Sequence, residues 1–201
     1  MARDFFDVPR APLQVGDGTC DLPILYRDGS LVGVFFRVDL ARAREVVGPG
    51  AVEPWPVLGR AVAAIYAWEY RDSTIGSYGE VGLGVQCRRV GSRPSLLKLG
   101  VDMGAQDDQG IWVVSLPVTT QAAFEAGVSI WGYPKYVAPI TTHFDADGAT
   151  IELADELTLT AEPLRGPTLR GQPVVTYTAR DVGPSARRVR RAPEPVSHGA
   201  R

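Results

Sequence analysis

Residues 140–154, with the sequence ITTHFDADGATIELA, carry the pattern that decides the fold. Apolar and polar side chains alternate at a period of two on both sides of a short polar break, which is typical of half-buried β-strands. The break contains Asp147 and Gly148, and a glycine there supplies the positive φ that a tight hairpin turn requires. The stretch therefore predicts an antiparallel hairpin over 140–154.

The same alternation continues through most of the chain between Gly, Pro and Asp residues. It predicts nine strands in a mainly antiparallel arrangement, and this number of strands indicates a barrel or a sandwich. The predicted strands are 31–38, 61–70, 81–90, 96–102, 111–117, 140–145, 149–154, 157–162 and 174–180.

Two short helices are expected to interrupt the strands. Asp39 is a suitable N-cap for a helix over 40–47, which Gly48 and Pro49 would end. A second helix is expected over about 120–126, and it leads the chain directly into the segment 131–136.

Length and composition indicate one domain followed by a tail. We expect 1–182 to form a single β domain, because 201 residues with 45% hydrophobic content suit one core. Residues 183–201 hold five arginines, three prolines and few apolar side chains, so we expect a disordered tail without core contacts.

Several classes of protein are disfavoured by the same data. The longest apolar run, 61–68, is far shorter than the roughly 20 residues that span a bilayer, and the first residues do not resemble a secretion signal. We therefore expect a cytoplasmic protein that does not bind membranes. The acidic body argues against a nucleic-acid surface. Two cysteines without CxxC spacing and two histidines do not favour a metal site.

Lysine is scarce, and this points to Lys135. Of the 21 cationic side chains, 19 are arginines, and only Lys98 and Lys135 are lysines. An amine can become neutral and attack a carbonyl, which a guanidinium cannot do. Lys135 lies among Trp131, Tyr133 and Tyr136, an apolar setting that disfavours the ammonium form. The structural alternative is a lysine whose stem covers an aromatic patch.

Three segments, in this order, resemble acetoacetate decarboxylases. Residues 36–40 (FRVDL) match a segment that opens a short helix, and residues 77–80 (SYGE) match a Tyr-x-Glu element. Residues 132–135 (GYPK) match the motif of the Schiff-base lysine in that family. The resemblance extends over roughly residues 24–145.

The resemblance implies a closed or half-closed antiparallel β-barrel in a homo-oligomer. It implies that Lys135 forms a Schiff base with a small keto acid and that Glu80 moves protons, with no external cofactor. Tyr78, Tyr133, Trp131 and Tyr136 are expected to contact the substrate.

Three positions depart from the family pattern. Tyr136 replaces a second lysine, Ile65 falls where a second active-site glutamate is expected, and Gly29 falls near the position of a substrate-binding arginine. Arg27, on the same face of that strand, is the candidate replacement for the arginine.

Two functions remain open from the sequence. The first is a Schiff-base-forming lyase, in which decarboxylation and aldol or dehydration chemistry share one imine and enamine. The second is a non-catalytic β-barrel that binds a small molecule and has lost part of the catalytic set. The two differ in whether Lys135 and Glu80 are held together away from water.

Overall fold

A seven-stranded mixed sheet forms the body of the protein in the computed structural model, which describes residues 6–93, 109–162 and 176–177. The strands of the described ranges are β1 (Ala11–Val15), β2 (Gly18–Leu22), β3 (Tyr26–Val38), β4 (Val52–Pro54), β5 (Ala61–Ser73), β6 (Tyr78–Arg89), β7 (Gln109–Val118), β8 (Lys135–Val137), β9 (Ile140–Phe144), β10 (Ala149–Leu153), β11 (Leu157–Ala161) and β12 (Thr176–Tyr177). The helices are α1 (Leu40–Val47) and α2 (Gln121–Ala126), and a π-helical turn follows at Gly127–Trp131.

The large sheet has the order β12-β7-β6-β5-β3, with β4 beside β6 and β8 beside β7. Its long central pairs are antiparallel, whereas β8 and β12 run parallel to β7. A three-stranded sheet, β11-β10-β9, and the hairpin β1-β2 complete the described part of the fold.

The predicted hairpin over 140–154 is confirmed. Strands β9 and β10 pair antiparallel, and the Asp145 carboxylate accepts the backbone N–H groups of Asp147 and Gly148 at 2.8 and 3.0 Å. Gly148 has a φ of 150°. A Cβ there would also lie 2.2 Å from the carbonyl oxygen of Ala161 in β11, so the close third strand requires glycine as well.

Both predicted helices are confirmed, and each has a side-chain cap. The Asp39 carboxylate accepts the N–H groups of Ala41 and Arg42, both at 3.0 Å, and the Thr120 hydroxyl accepts that of Ala123 at 3.4 Å. Helix α2 continues into the π-helical turn, which the sequence pattern did not predict.

Most predicted strands are confirmed, with shifted ends. Seven of the nine predicted strands correspond to strands of the structure. These are, in chain order, β3, β5, β6, β7, β9, β10 and β11. Of 174–180, the described residues 176–177 pair with β7. The predicted strand 96–102 and the proposed tail 183–201 lie outside the described residues.

The strands that the sequence did not predict are β1, β2, β4 and β8. Each has only three to five residues, too few to establish a period of two.

The two faces of the large sheet are covered differently. The three-stranded sheet packs on one face, where Ile151 and Leu153 of β10 contact Ala67 of β5 and Val81 of β6. Near Tyr78 and Val118, helix α2 packs through Ala123. Paired residues of antiparallel strands point to the same side, so residues 68 and 80 face away from the three-stranded sheet.

The described part of the fold is mainly β and has two α-helices, as predicted. Across residues 6–93, 109–162 and 176–177 no sheet closes on itself, so the barrel stays a prediction. Among these residues β3 has a partner strand, β5, on one side only, and its exposed side chains include Leu31, Phe35 and Phe36. None of the described helices has the length and apolar character that crossing a bilayer would require.

Candidate active site

A tight turn fixes the backbone of Lys135 beside β7. The N–H of Lys135 donates to the carbonyl of Tyr133 at 2.8 Å, which closes a three-residue turn around Pro134. The carbonyl of Pro134 then accepts the N–H of Leu116 in β7 at 3.2 Å, and Lys135 pairs with Leu116 in parallel register. Since proline fixes its own φ, the lysine enters β8 in one orientation.

Glycine at position 127 provides the space for the Lys135 side chain. A Cβ at Gly127, the first residue of the π-helical turn, would lie 2.4 Å from both Cδ and Cε of Lys135. Atoms of a folded protein do not approach this closely, so any larger residue would displace the lysine side chain. The unusual turn and its glycine thus form one wall of the lysine channel.

Glu80 is the partner of Lys135. It lies in β6 between Trp68 of β5 and Val118 of β7. The Nζ of Lys135 donates to Oε2 of Glu80 at 2.5 Å, and the two side chains are only 6% and 9% exposed. Two opposite charges are therefore held in contact away from solvent, 55 residues apart in sequence.

Burial changes the acidity of this carboxylate. Burial raises the pKa of Glu80 above its ordinary value, and the neighbouring Lys135 opposes part of that rise. A carboxyl group with a raised pKa binds and releases protons more readily near neutral pH than an exposed one does. The pair thus combines an amine with a group that can carry its proton.

Tyrosines surround the amine. The Nζ of Lys135 lies 5.8 Å from the centre of the Tyr78 ring and 6.0 Å from that of Tyr133. The hydroxyl groups of Tyr78 and Tyr26 share a hydrogen bond of 3.0 Å, and the Tyr70 ring packs 4.7 Å from that of Tyr78. Burial raises the pKa of Tyr26 to about 12 and that of Tyr78 further, so these phenols stay neutral.

The remaining residues singled out from the sequence lie elsewhere. Tyr136 is 39% exposed, and the alternation of β8 directs it away from the side of Lys135. Trp131 stacks on Tyr133 with ring centres 6.2 Å apart and packs in a cluster with Ala126. Arg27 pairs with Asp72 at 3.2 Å, and both side chains are largely exposed.

The sheet also places the two other residues that differ from the family pattern, Ile65 and Gly29. Ile65 packs in the apolar cluster with Ala67 and Val81, on the face opposite to Glu80. Gly29 pairs with Tyr70 on the edge strand β3.

A cavity of about 330 Å³ adjoins the pair, with Glu80 and Tyr133 in its wall. The cavity is also lined by three aromatic residues of β5, Tyr66, Trp68 and Tyr70. None of the three was predicted from the sequence as a site residue. They stand at every second position of one strand and share a face. This aromatic stripe was visible in the sequence, but the alternation alone did not indicate which face would border a cavity.

Replacing Gly127 with alanine should move the lysine without unfolding the chain. We expect the melting temperature to fall by only a few degrees, because the better helix propensity of alanine, about 1 kcal/mol, offsets most of the ~1.4 kcal/mol lost from the weakened pair. Labelling of Lys135 by an amine-acylating reagent should accelerate roughly tenfold, the factor that corresponds to ~1.4 kcal/mol. Peptide mass mapping over time measures the labelling rate.

Gly18→Ala is the matched control, because the nearest atom to its new Cβ would be 3.9 Å away. Equal labelling rates in the wild type and Gly127→Ala would show that the turn does not hold the lysine.

A family model for acetoacetate decarboxylase (ADC) matches residues 9–171. No curated protein matches the chain. The solved structures that it resembles include the acetoacetate decarboxylase of Legionella pneumophila subsp. pneumophila str. Philadelphia 1, with 19% identity and a TM-score of 0.51 over 75% of this chain and 50% of that one. A second is a structure from "Structural Studies of Acetoacetate Decarboxylase", with 16% identity and a TM-score of 0.51 over 72% of this chain and 50% of that one.

The chain thus spans half the length of these two structures, and at such identities the likeness concerns the fold. The family match covers most of the sequence, including Glu80 and Lys135. On this evidence, the chain belongs to the acetoacetate decarboxylase family.

Proposed function

We propose that this protein is a Schiff-base-forming lyase that acts on a small keto acid through Lys135. The observation that carries the proposal is the contact of 2.5 Å between the Lys135 amine and the Glu80 carboxylate, both nearly enclosed beside a cavity. An amine that must lose its proton before it attacks needs an acceptor within hydrogen-bond reach, and Glu80 is at that distance.

The reaction begins with proton transfer from Lys135 to Glu80. The neutral Nζ then attacks the carbonyl carbon of the substrate, and the carbonyl oxygen takes up the proton that the positively charged nitrogen releases, which gives a neutral carbinolamine. Glu80 returns its proton as this hydroxyl leaves as water, which produces a protonated imine. Next, either the bond to the carboxylate breaks and releases carbon dioxide, or a neighbouring C–H bond breaks and releases a proton. The imine nitrogen accepts the electron pair of that bond, and an enamine results. The enamine then takes up a proton or attacks an aldehyde, and water releases the product and regenerates the amine.

The competing function is a binding protein that has lost its chemistry. Tyr136, Ile65 and Gly29 stand where the family motif has ionisable groups, which favours this alternative. A buried ion pair, however, costs several kcal/mol of desolvation unless its geometry is good, and a passive binding site gains nothing from it. The retention of Lys135 and Glu80 together supports an enzyme.

Within the enzyme class we favour aldol, retro-aldol or dehydration chemistry over decarboxylation of acetoacetate. Decarboxylation requires the carboxylate to be held perpendicular to the imine plane, and a cation is the obvious anchor. Among the described residues that line the cavity there is no arginine, and Arg27 is paired with Asp72 at the surface.

Three structural expectations accompany the proposal. We propose that the sheets form a closed or half-closed barrel around the cavity, that the protein is cytoplasmic and that it forms a homo-oligomer. The exposed side chains of Val34 and Phe36, on the face of β3 opposite to the cavity, support the last point, since β3 is an edge strand among the described strands and such an edge favours association.

Incubation with pyruvate and borohydride should add the mass of the reduced imine to Lys135. We expect Lys135→Arg to abolish this adduct without unfolding the chain, because it keeps the positive charge and removes the nucleophile. Lys98→Arg, the same substitution at the other lysine, is the control and should leave the adduct in place. Mass mapping of peptides locates the modification, and labelling of Lys98 instead of Lys135 would refute the proposal.

The rate of adduct formation should depend on the ionisation of Glu80. Because burial raises the pKa of Glu80, its proton-accepting form is lost at higher pH than for an exposed glutamate, whose pKa is near ~4.3. We expect the rate to fall as the pH is lowered through that raised pKa.

In Glu80→Gln we expect the acidic limb of this profile to disappear and the rate to drop about 100-fold. The free energy of unfolding should also fall by about 3 kcal/mol, because the buried amine loses its counter-charge. Rapid trapping over a range of pH values gives the profile, and an unchanged acidic limb in folded Glu80→Gln would exclude Glu80 as the proton acceptor.

The preference for aldol chemistry is tested by comparing two reactions. We expect slow release of carbon dioxide from acetoacetate and faster condensation of pyruvate with an aldehyde, measured by manometry and by chromatography of the product. Since the described part of the cavity wall offers the carboxylate no arginine, the ratio should favour condensation by about tenfold or more. Rapid carbon dioxide release without a condensation product would restore the decarboxylase assignment.

A further inference from the structure

The cavity beside Glu80 is larger than a small keto acid needs. Its volume of about 330 Å³ corresponds to about eleven water molecules at ~30 Å³ each. Pyruvate and acetoacetate have fewer non-hydrogen atoms than that, so either would leave part of the space empty.

The walls of the unfilled part are apolar and aromatic. Tyr66 and Trp68 stack with ring centres 5.4 Å apart, and Ile111 and Leu116 of β7 face them across the cavity. Phe35 of β3 supports the Tyr66 ring from behind with an edge contact of 5.5 Å. Rigid aromatic walls of this kind bind flat apolar groups by stacking and by removing their surface from water.

The floor of the cavity lies at the level of the backbone. Gly82 is two residues from Glu80 on the same face of β6, and a Cβ there would meet Leu116 at 3.0 Å and Trp68 at 3.2 Å. A larger residue would therefore push these side chains into the space. The absence of a side chain at Gly82 keeps room for a ligand directly beside the carboxylate.

Charge restricts what can occupy the space. Among the described residues in the cavity wall, Glu80 is the only one with a charged side chain. A second carboxylate on the far end of a ligand would lose its water without gaining a cation. We therefore expect an uncharged group at the far end of the ligand, where the described wall surrounds it.

The sheet register gives the direction and length of the occupant. Trp68 pairs with Glu80 and Tyr66 pairs with Gly82, so the backbone of Tyr66 lies two residues farther along the strand, about 7 Å from that of Trp68. This is the length of one aromatic ring and its linking bond. The cavity runs from the reacting end at Glu80 past Trp68 to Tyr66.

We propose that the substrate is a keto acid that carries an uncharged aromatic arm, and that Trp68, Tyr66 and Leu116 bind this arm. The assignment of the keto acid end rests on the proposed Schiff-base function, whereas the recognition of the arm rests on the cavity alone. A 2-oxo acid with an arylidene or benzyl substituent has the required shape, and pyruvate with an aromatic aldehyde would be its aldol components.

Calorimetric titration with benzylidenepyruvate and with pyruvate tests the arm. We expect the aromatic acid to bind at least about tenfold more tightly, because one ring is removed from water. Val113→Phe places a ring in the cavity, where Val113 is 9% exposed, and should lower the ratio of the two affinities by about tenfold. Val90→Phe, at an exposed position at the end of β6, should leave the ratio unchanged.

Leu31→Trp provides a second variant at a 54% exposed position of the cavity wall, where the risk of misfolding is low, and it should lower the same ratio. Equal affinities for the two acids in the wild type, or an unchanged ratio in both folded cavity variants, would overturn the inference.

Borohydride trapping in the same samples separates this inference from the proposed function. Tight binding of benzylidenepyruvate without an adduct on Lys135 would overturn the Schiff-base proposal and support the aromatic arm. An adduct with pyruvate and no gain in affinity for the aromatic acid would overturn the arm and support the Schiff-base proposal.

Discussion

The buried ion pair between Lys135 and Glu80 is the constraint on which the rest of this structure depends. Burying either charge alone would cost about 3–5 kcal/mol, a large share of the stability of a fold of this size, because an isolated amine or carboxylate loses its hydration without gaining a counter-charge. The two residues reach each other only because β7 aligns β6 on one side and β8 on the other. The sheet register, rather than any local motif, therefore creates the site.

Elements around the pair exclude water and fix its geometry. Helix α2 and its π-helical turn cover the amine, and Gly127 leaves a channel of one side chain's width. The packed tyrosines hold the opposite wall, where burial raises the pKa of Tyr78 and keeps it a neutral phenol. Glu80 connects this closed end to the apolar cavity, so one carboxylate borders both the amine and the space for a ligand. In the proposed enzyme, this arrangement places the proton acceptor between nucleophile and substrate.

Much of the fold could be predicted from local patterns, and less of the site. The hairpin at Gly148 and the helix that Asp39 caps are determined by residues close in sequence, so the sequence predicted both. Lys135 was recognisable from the scarcity of lysine and from the resemblance, which also supplied Glu80. The parallel strand β8, the π-helical turn and the role of Gly127 depend on contacts between distant segments, and no periodicity encodes them. The aromatic stripe of β5 was visible, yet its orientation is a property of the assembled sheet.

In the proposed enzyme, the amine of Lys135 is a nucleophile whose proton Glu80 accepts. A crystal structure of the protein after exposure to a keto acid and borohydride would show this directly. We expect continuous density from Nζ of Lys135 to the former carbonyl carbon, with Glu80 within hydrogen-bond distance of that nitrogen and the substituent directed toward Trp68. A ligand that fills the cavity while Lys135 remains unmodified and paired with Glu80 would contradict it.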